Sequence, residues 1–483
     1  MKKKRLLVFT LFVVFMLIFT ACSSPSENDA NGDSVQGETE EGVSATEQTG
    51  GSDVQKVVYF VGFGTGTSPD QVEGQEALID KFNSTHDDIE VELMIVPHEE
   101  AMERFSSMVS GGNAPEIIGA AGFATIGILS ESGSIADLSS YMTDFDETIF
   151  YPDVQRLMSD FFSEGMPAMP FGIYPSMVFY NIDAFDAAGL DYPPHSYDDM
   201  SWTYDKVREY GMQMTLDSEG NNATMDAFNP DDIVQYGFDD SWTDGRNYLS
   251  MWGADNVGMV TKTDEFKTAD INKPEWIAGL KWLHDGAWVD HFIPDSAGQA
   301  TYSAMGSGDP FSTGMAAMFL THTWYMPEGL TGITFPYDIA PVPVPPSGNR
   351  IVRSDIDGFA IVEQADEKDA AFEFLTWLVQ EEQIVDVCKV YGCLPANESA
   401  EDEFKAVMEE KWPGLDYDVI YNGFNYLDNP HSDSYVVEQQ KIAGVLNNMM
   451  SIVYTDPNAD PEALLNEANV EVQGILDAYW AEQ

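Results

Sequence analysis

Basic residues are scarce in this chain: 22 Lys and Arg stand against 82 Asp and Glu over 483 positions, a formal charge of −60. Polyanions and anionic lipid surfaces are held by basic patches, so nucleic acid and electrostatic docking on a membrane are excluded as partners. Cysteine is scarce as well, with only Cys22, Cys388 and Cys393. The histidines (His86, His98, His195, His284, His291, His322, His431) are scattered, so no ligand cluster marks a metal site and no cofactor is implied. The turn Gly62-Phe63-Gly64-Thr65-Gly66 puts Thr67 where a dinucleotide fingerprint needs its third glycine, and no Gly-Lys-Ser/Thr completes a phosphate loop. Neither His-Glu-x-x-His nor Gly-x-Ser-x-Gly occurs, which removes the common signatures of metalloproteases and serine hydrolases. Asp217-Ser218-Glu219-Gly220-Asn221 starts like a calcium loop, but Asn222 replaces the required glycine and Phe228 the closing glutamate.

The long apolar run at residues 6–21 follows Lys2, Lys3, Lys4 and Arg5. It falls short of the ~20 apolar residues of a membrane-spanning helix and reads as an export signal. Cys22, directly after Thr20 and Ala21, resembles the lipobox cysteine of bacterial lipoproteins, with Phe19 in place of the usual leucine. The resemblance implies a signal peptide over residues 1–21 and lipid on Cys22, with several acyl chains at ~0.8 kcal/mol per buried CH₂ exceeding the two anchors that stable attachment takes. Residues 22–55 hold almost nothing large and apolar and read as an acidic, disordered tether. The expectation is an exported protein, lipid-anchored to the outer face of the bacterial cell membrane. Cys388 and Cys393 then remain, at a spacing that suits either a disulfide from a helix end into the next turn or two buried thiols.

The roughly 430 residues that follow exceed what one core organises, so at least two cores are expected. Residues 57–61 form a continuous apolar run, Leu78 and Phe82 sit four apart on a helix, and residues 89–96 alternate Ile89, Val91, Leu93 and Ile95 with acids. Strand, helix, strand in this space is a βαβ unit, which predicts an α/β fold with a largely parallel sheet. Further strands are expected at 116–120, 169–173 and 358–362, with helices at 366–385 and 462–480.

What is plentiful is aromatic: 10 Trp, 21 Tyr and 28 Phe. Sugars present apolar CH faces rimmed by hydroxyls, and rigid rings flanked by a few polar groups suit that shape. Ser241-Trp242-Thr243-Asp244 and Thr321-His322-Thr323-Trp324-Tyr325 interleave rings with hydroxyls and charge, a composition that points to a pocket rather than a core.

Several segments occur in a telling order: Gly74-Gln75-Glu76-Ala77-Leu78; Gly111-Gly112-Asn113-Ala114-Pro115-Glu116; Met166-Pro167-Ala168-Met169-Pro170-Phe171 with Phe179-Tyr180-Asn181; Gly314-Met315-Ala316-Ala317-Met318; Asp357-Gly358-Phe359; and Tyr391-Gly392-Cys393-Leu394-Pro395. Over nearly the whole mature chain this order resembles the family 1 extracellular solute-binding proteins, the group that includes the maltose-binding protein. The resemblance implies a two-lobe periplasmic-binding-protein-like fold (type II) with a hinge of three chain crossovers, near residues 171, 357 and 416. The first lobe would hold residues 56–170 and 357–415, the second 171–356 and 416–483. Residue by residue, it puts Phe63, Thr65, Gly122 and Phe123 on the first lobe's cleft edge and Tyr174 at the hinge. Trp242, Trp324 and Tyr325 face them from the second lobe, and Asp357 and Gly358 lie at the returning crossover. The implied protein is a monomer that catalyses nothing. It captures a sugar, by expectation an oligosaccharide, and hands it to an ABC permease driven by a cytoplasmic ATPase.

Two rivals fit the same residues. With so many acids, a two-carboxylate polysaccharide-cleaving enzyme survives a count of carboxylates alone. The same fold could also take a polyamine, a peptide or a metal, and Asp244 in the cleft leaves a cationic ligand open.

Overall fold

The computed structural model describes residues 54–483, apart from positions 153, 244 and 483 and the stretches 156–164, 254–257, 262–265, 305–308 and 427–435. Among the described residues ten strands are formed: β1 Gln55–Val61, β2 Ile89–Ile95, β3 Ile117–Gly122, β4 Met169–Asn181, β5 Leu216–Asp217, β6 Ile233–Gln235, β7 Met318–His322, β8 Tyr337–Ala340, β9 Ser354–Ile361 and β10 Leu394–Pro395. β5 and β6 form a small separate ribbon, and the rest share one eight-stranded sheet.

The βαβ start is as the periodicity predicts. Helix α1, Pro69–Asn83, buries Gln71, Gln75, Leu78, Ile79 and Phe82 and links β1 to the parallel β2. β3 joins the other side of β1, also in parallel. Helix α2, Pro97-capped at His98–Ser110, buries Ala101 and Phe105, and helix α3, Phe123–Glu131, leaves the end of β3. The expectation of a largely parallel sheet fails beyond this point. β9 is antiparallel to β3, β4 is antiparallel to β9, and β10, β7 and β8 are all antiparallel to β4. The physical reason is connectivity: helical crossovers keep β1, β2 and β3 parallel, whereas β4 and β9 are reached by longer and less regular paths, which leave their direction free.

β4 carries the two-lobe architecture. Its thirteen residues are all buried. Met169 through Pro175 pair with β9, while Ser176 through Asn181 pair with β7 and β8. One strand thus serves two parts of the sheet, changing neighbours between Pro175 and Ser176.

The helix expected at 366–385 is two helices, Lys368–Leu378 and Glu381–Tyr391. Gln380 takes an extended backbone, with ψ 153°, and resets the axis. The apolar spacing continues across the break through Ile384 and Val387, both fully buried, which is why the run reads as one helix. The last helix, Pro461–Glu482, matches its sequence pattern. No helix among the described residues is long and apolar enough to cross a membrane.

Candidate functional site

The register of β4 brings the open ends of both lobes together. Gly122, the last residue of β3, stands opposite Asp357 of β9, and Asp357 stands opposite Gly172 of β4. His322, the last residue of β7, stands opposite Ser176 of β4. The carboxyl end of β3 is therefore level, across β9, with Gly172, and that of β7 with Ser176, points about 13 Å apart along β4, four residues at ~3.3 Å each. β1 runs to β2 on one side and has β3 on the other, and the crevice beyond such a reversal of order is where open α/β sheets hold ligands.

The residues around the end of β7 form a wall of rings. Asp239 bridges Phe319 in parallel, so the segment leading to Trp242 and the strand leading to Trp324 end side by side. The two indoles lie 6.0 Å apart, centroid to centroid, at an interplanar angle of 13°. The His322 ring follows 6.2 Å from Trp324 at 21°. A guest ring inserted between two faces needs about 7–8 Å, two contacts of ~3.5–4.0 Å. The indoles therefore stack on each other, and what they offer is an outer surface rather than a slot. Trp242 keeps 36% of its surface exposed.

Tyr325 stands behind this wall. It is buried, its edge meets Trp242 at 5.7 Å and Phe319 at 5.1 Å, and its hydroxyl donates to both carboxylate oxygens of Asp309 at 3.1 and 2.9 Å. Burial and the Asp309 charge push its phenol up. The pocket-like composition of residues 321–325 holds only for Trp324, because Thr321, His322, Thr323 and Tyr325 are buried. They occupy a strand end and turn covered on both faces.

A polar cluster lies where β4 and β9 pair. Tyr174 is buried in β4 opposite Asp355. Arg353 Nη2 bonds Asp355 Oδ1 at 2.7 Å, and His322 Nε2 lies 3.7 Å from Asp355 Oδ2. Asp357 is buried, and desolvation with the adjacent Asp355 charge pushes its carboxyl up to about 7, the facing Tyr174 hydroxyl working the other way. Gly358 sits one residue further into the first lobe's sheet, opposite Ala121 and Pro170. Sequence reasoning missed Arg353 and Asp355. The readable signal was Arg353, Asp355 and Asp357 at every second position of a strand, which puts all three on one face.

The first lobe's edge is the loop of residues 62–68. Thr65 is half-buried there, whereas the Phe63 ring packs against Phe60 at 5.5 Å and Phe105 at 5.7 Å inside the lobe. Ser68, at the loop's end, and Gln71 help line a cavity of about 400 Å³ that Pro327 and Thr331 also line.

Residues 66–384 match the model of the bacterial extracellular solute-binding proteins. The chain belongs to that family. This solute-binding protein is 25% identical over 363 residues to the sn-glycerol-3-phosphate-binding periplasmic protein of Pectobacterium atrosepticum, covering 70% of this chain and 74% of the relative. Its fold matches that of an ABC substrate-binding protein from Listeria monocytogenes in complex with cycloalternan, with a TM-score of 0.71 and 19% identity over 88% of this chain and 100% of the other. It also matches UgpB from Mycobacterium tuberculosis in complex with glycerophosphocholine, with a TM-score of 0.68 and 16% identity over 89% of this chain and 100% of the other.

The remaining residues singled out in the sequence of this solute-binding protein fall elsewhere. Cys388 and Cys393 are buried free thiols with sulfurs 3.0 Å apart, packed under β4 against Gly172. The Asp217 carboxylate accepts from the backbone of Glu219, Asn221 and Asn229. Those donors fill the place a calcium ion would need, and no metal-ligating group of three is formed among the described residues. Asp244, Cys22, the leader and the tether up to residue 53 lie outside the described residues, as does the side chain of Phe123; the expected end of the tether at 55 is too late, because Gln55 already pairs with Ile89 as the first residue of β1.

Proposed function

We propose that this protein captures a sugar, an oligosaccharide rather than a single ring, by closing its lobes on it, and delivers it unaltered to an ABC permease. The observation that supports this reading is the stacked pair of Trp242, 36% exposed, and the half-buried Trp324 just beyond the end of β7, which we take to face the first lobe's loop across the hinge. The open part of Trp242 is a flat apolar platform on which one sugar unit can stack, with the Trp324 edge beside it for the next. The guest would touch Thr65, Gly122 and Phe123 on one side and Trp242, Asp244 and Trp324 on the other, with Tyr174, Asp357 and Gly358 at the floor. Phe63 and Tyr325 support these walls from within the lobes. The chain would cross near residues 171, 357 and 416, and the neighbour change of β4 after Pro175 supports the first crossing. The leader, the lipid on Cys22 and the monomeric state belong to the same proposal. So does the absence of catalysis.

Thermal shift against maltose, maltotriose, sn-glycerol 3-phosphate and glycerophosphocholine tests it. A guest at 100 times its dissociation constant adds about 2.7 kcal/mol. A shift with maltotriose supports the sugar reading. Silence with both sugars and a shift with either phosphate ester replaces it by a glycerophosphate reading, which the Pectobacterium relative favours. Cleavage products from maltotriose over hours would instead mean an enzyme.

A further inference from the structure

Gln71, buried on the inner face of α1, makes two committed contacts with the 62–68 loop. Its Oε1 accepts from Gly66 N–H at 2.9 Å and, more weakly, from Ser68 N–H at 3.4 Å. A backbone N–H cannot face an amide nitrogen, so the orientation of this side chain is fixed by the chemistry of its partners. Its Nε2 must therefore be the group that meets Thr65 Oγ1, at 2.5 Å. Gln71 donates there and the hydroxyl accepts.

A second glutamine backs the arrangement. Gln75 Nε2 donates to Gly66 O at 2.6 Å, and its Oε1 accepts from Tyr391 O–H at 2.8 Å. Tyr391 has then spent its proton, so the hydroxyl of Tyr59, 2.7 Å away, is the donor to Tyr391. The chain Tyr59, Tyr391, Gln75 is buried throughout and leaves the loop little freedom to turn Thr65 over. Among the described residues no acceptor bonds the Thr65 proton.

From this we infer that Gln71 is a positioning residue that makes Thr65 a donor toward the guest. The guest must then place an acceptor oxygen there, such as a ring or glycosidic oxygen or the lone pair of a hydroxyl. This rests on the proposed reading that Thr65 borders the guest. The isosteric test is Gln71→Glu. Glutamate at this third helical position is the preferred partner of a Ser cap and suits the N–H groups it faces, so the variant should fold. Its second oxygen can only accept, which turns the Thr65 proton inward.

Two measurements decide the matter. Neutron diffraction from the deuterated, guest-free protein should show the Gln71 amide deuterons on Thr65 Oγ1 and the Thr65 deuteron pointing away from Gln71. A Thr65 deuteron on Gln71 overturns the inference with no guest involved. Calorimetry with maltotriose should show Thr65→Val and Gln71→Glu each weakening binding by about 2- to 10-fold, the span of one hydrogen bond, with the double variant no weaker than either single one. Additive losses would give Gln71 a merely structural role and overturn the inference. An unchanged affinity for Thr65→Val would instead remove Thr65 from the site, while the neutron result still judges the Gln71 contact.

Discussion

Trp242→Ala is the sharpest test of the ring-lined wall. An indole side chain has about 250 Å² to offer, and Trp242 leaves 36% of its surface open, so about 90 Å² is free for a guest to cover. At ~25 cal/mol per Å² full coverage contributes about 2 kcal/mol and half coverage about 1. Truncation should then weaken maltotriose binding by about 5- to 30-fold. The measurement is titration calorimetry at 25 °C on folded protein. Because the rest of the ring packs on Phe319 and Tyr325, the melt will fall too, and a control has to separate the two effects. Tyr325→Phe provides it: that ring is buried behind the indoles, so its change should lower the melt and spare the affinity. An unchanged dissociation constant for Trp242→Ala, or an equal loss in Tyr325→Phe, would refute the reasoning.

Tyr325→Phe should itself destabilise the protein by about 1–3 kcal/mol, since Asp309 loses a buried donor, read as a lower denaturation midpoint. Asp240 is buried, and desolvation plus the charge of Asp239 push its carboxyl up to about 8, opposed by the Tyr454 hydroxyl bonded at 3.0 Å. A carboxyl raised in the folded state holds its proton more tightly there than when unfolded, so its contribution declines as pH rises from about 4 to about 8. The melting advantage of Asp240→Asn over the native protein should therefore grow from pH 5 to pH 9, and a constant gap would contradict the assignment. With a charge of −60, screening should relieve self-repulsion, so the melting temperature should rise from low to molar salt. A flat profile would count against that.

The parts of the fold legible in the sequence are those in which local periodicity and tertiary role agree. β1, α1 and β2 were readable because an apolar run, a four-residue spacing and an alternation follow one another without interruption. β4 was half legible: its first residues read as a strand, but nothing local says that a strand continues through Pro175 or that its far half pairs with β7 and β8 instead of β9. Antiparallel pairing of β9 with β3 was invisible, because pairing direction depends on the path between strands and not on their composition. Ring-and-hydroxyl interleaving picked out Trp242 and Trp324, whose indoles the structure stacks together. That argument failed one residue away at Tyr325, whose hydroxyl looks like a pocket group until Asp309 takes it. Gln71 gave no signal, since a glutamine in the first turn of a helix is ordinary until its partners are known.

The two walls should play different parts in closure. An interaction available in both open and closed forms raises affinity but shifts no population, and only one that forms on closing does. On the proposed reading the indole surface lies wholly on the second lobe, so a sugar can stack there with the lobes apart. The Thr65 hydroxyl belongs to the first lobe and reaches that same sugar only once β4 and β9 have bent. One hydrogen bond of about 1 kcal/mol then alters the closed-to-open ratio by about fivefold. Small-angle scattering at saturating maltotriose should therefore give the same compact radius for Trp242→Ala as for the native protein, and a larger mean radius for Thr65→Val. If Trp242→Ala stays open at saturation while Thr65→Val closes fully, the order is reversed and the sugar docks first on the glycine-rich loop.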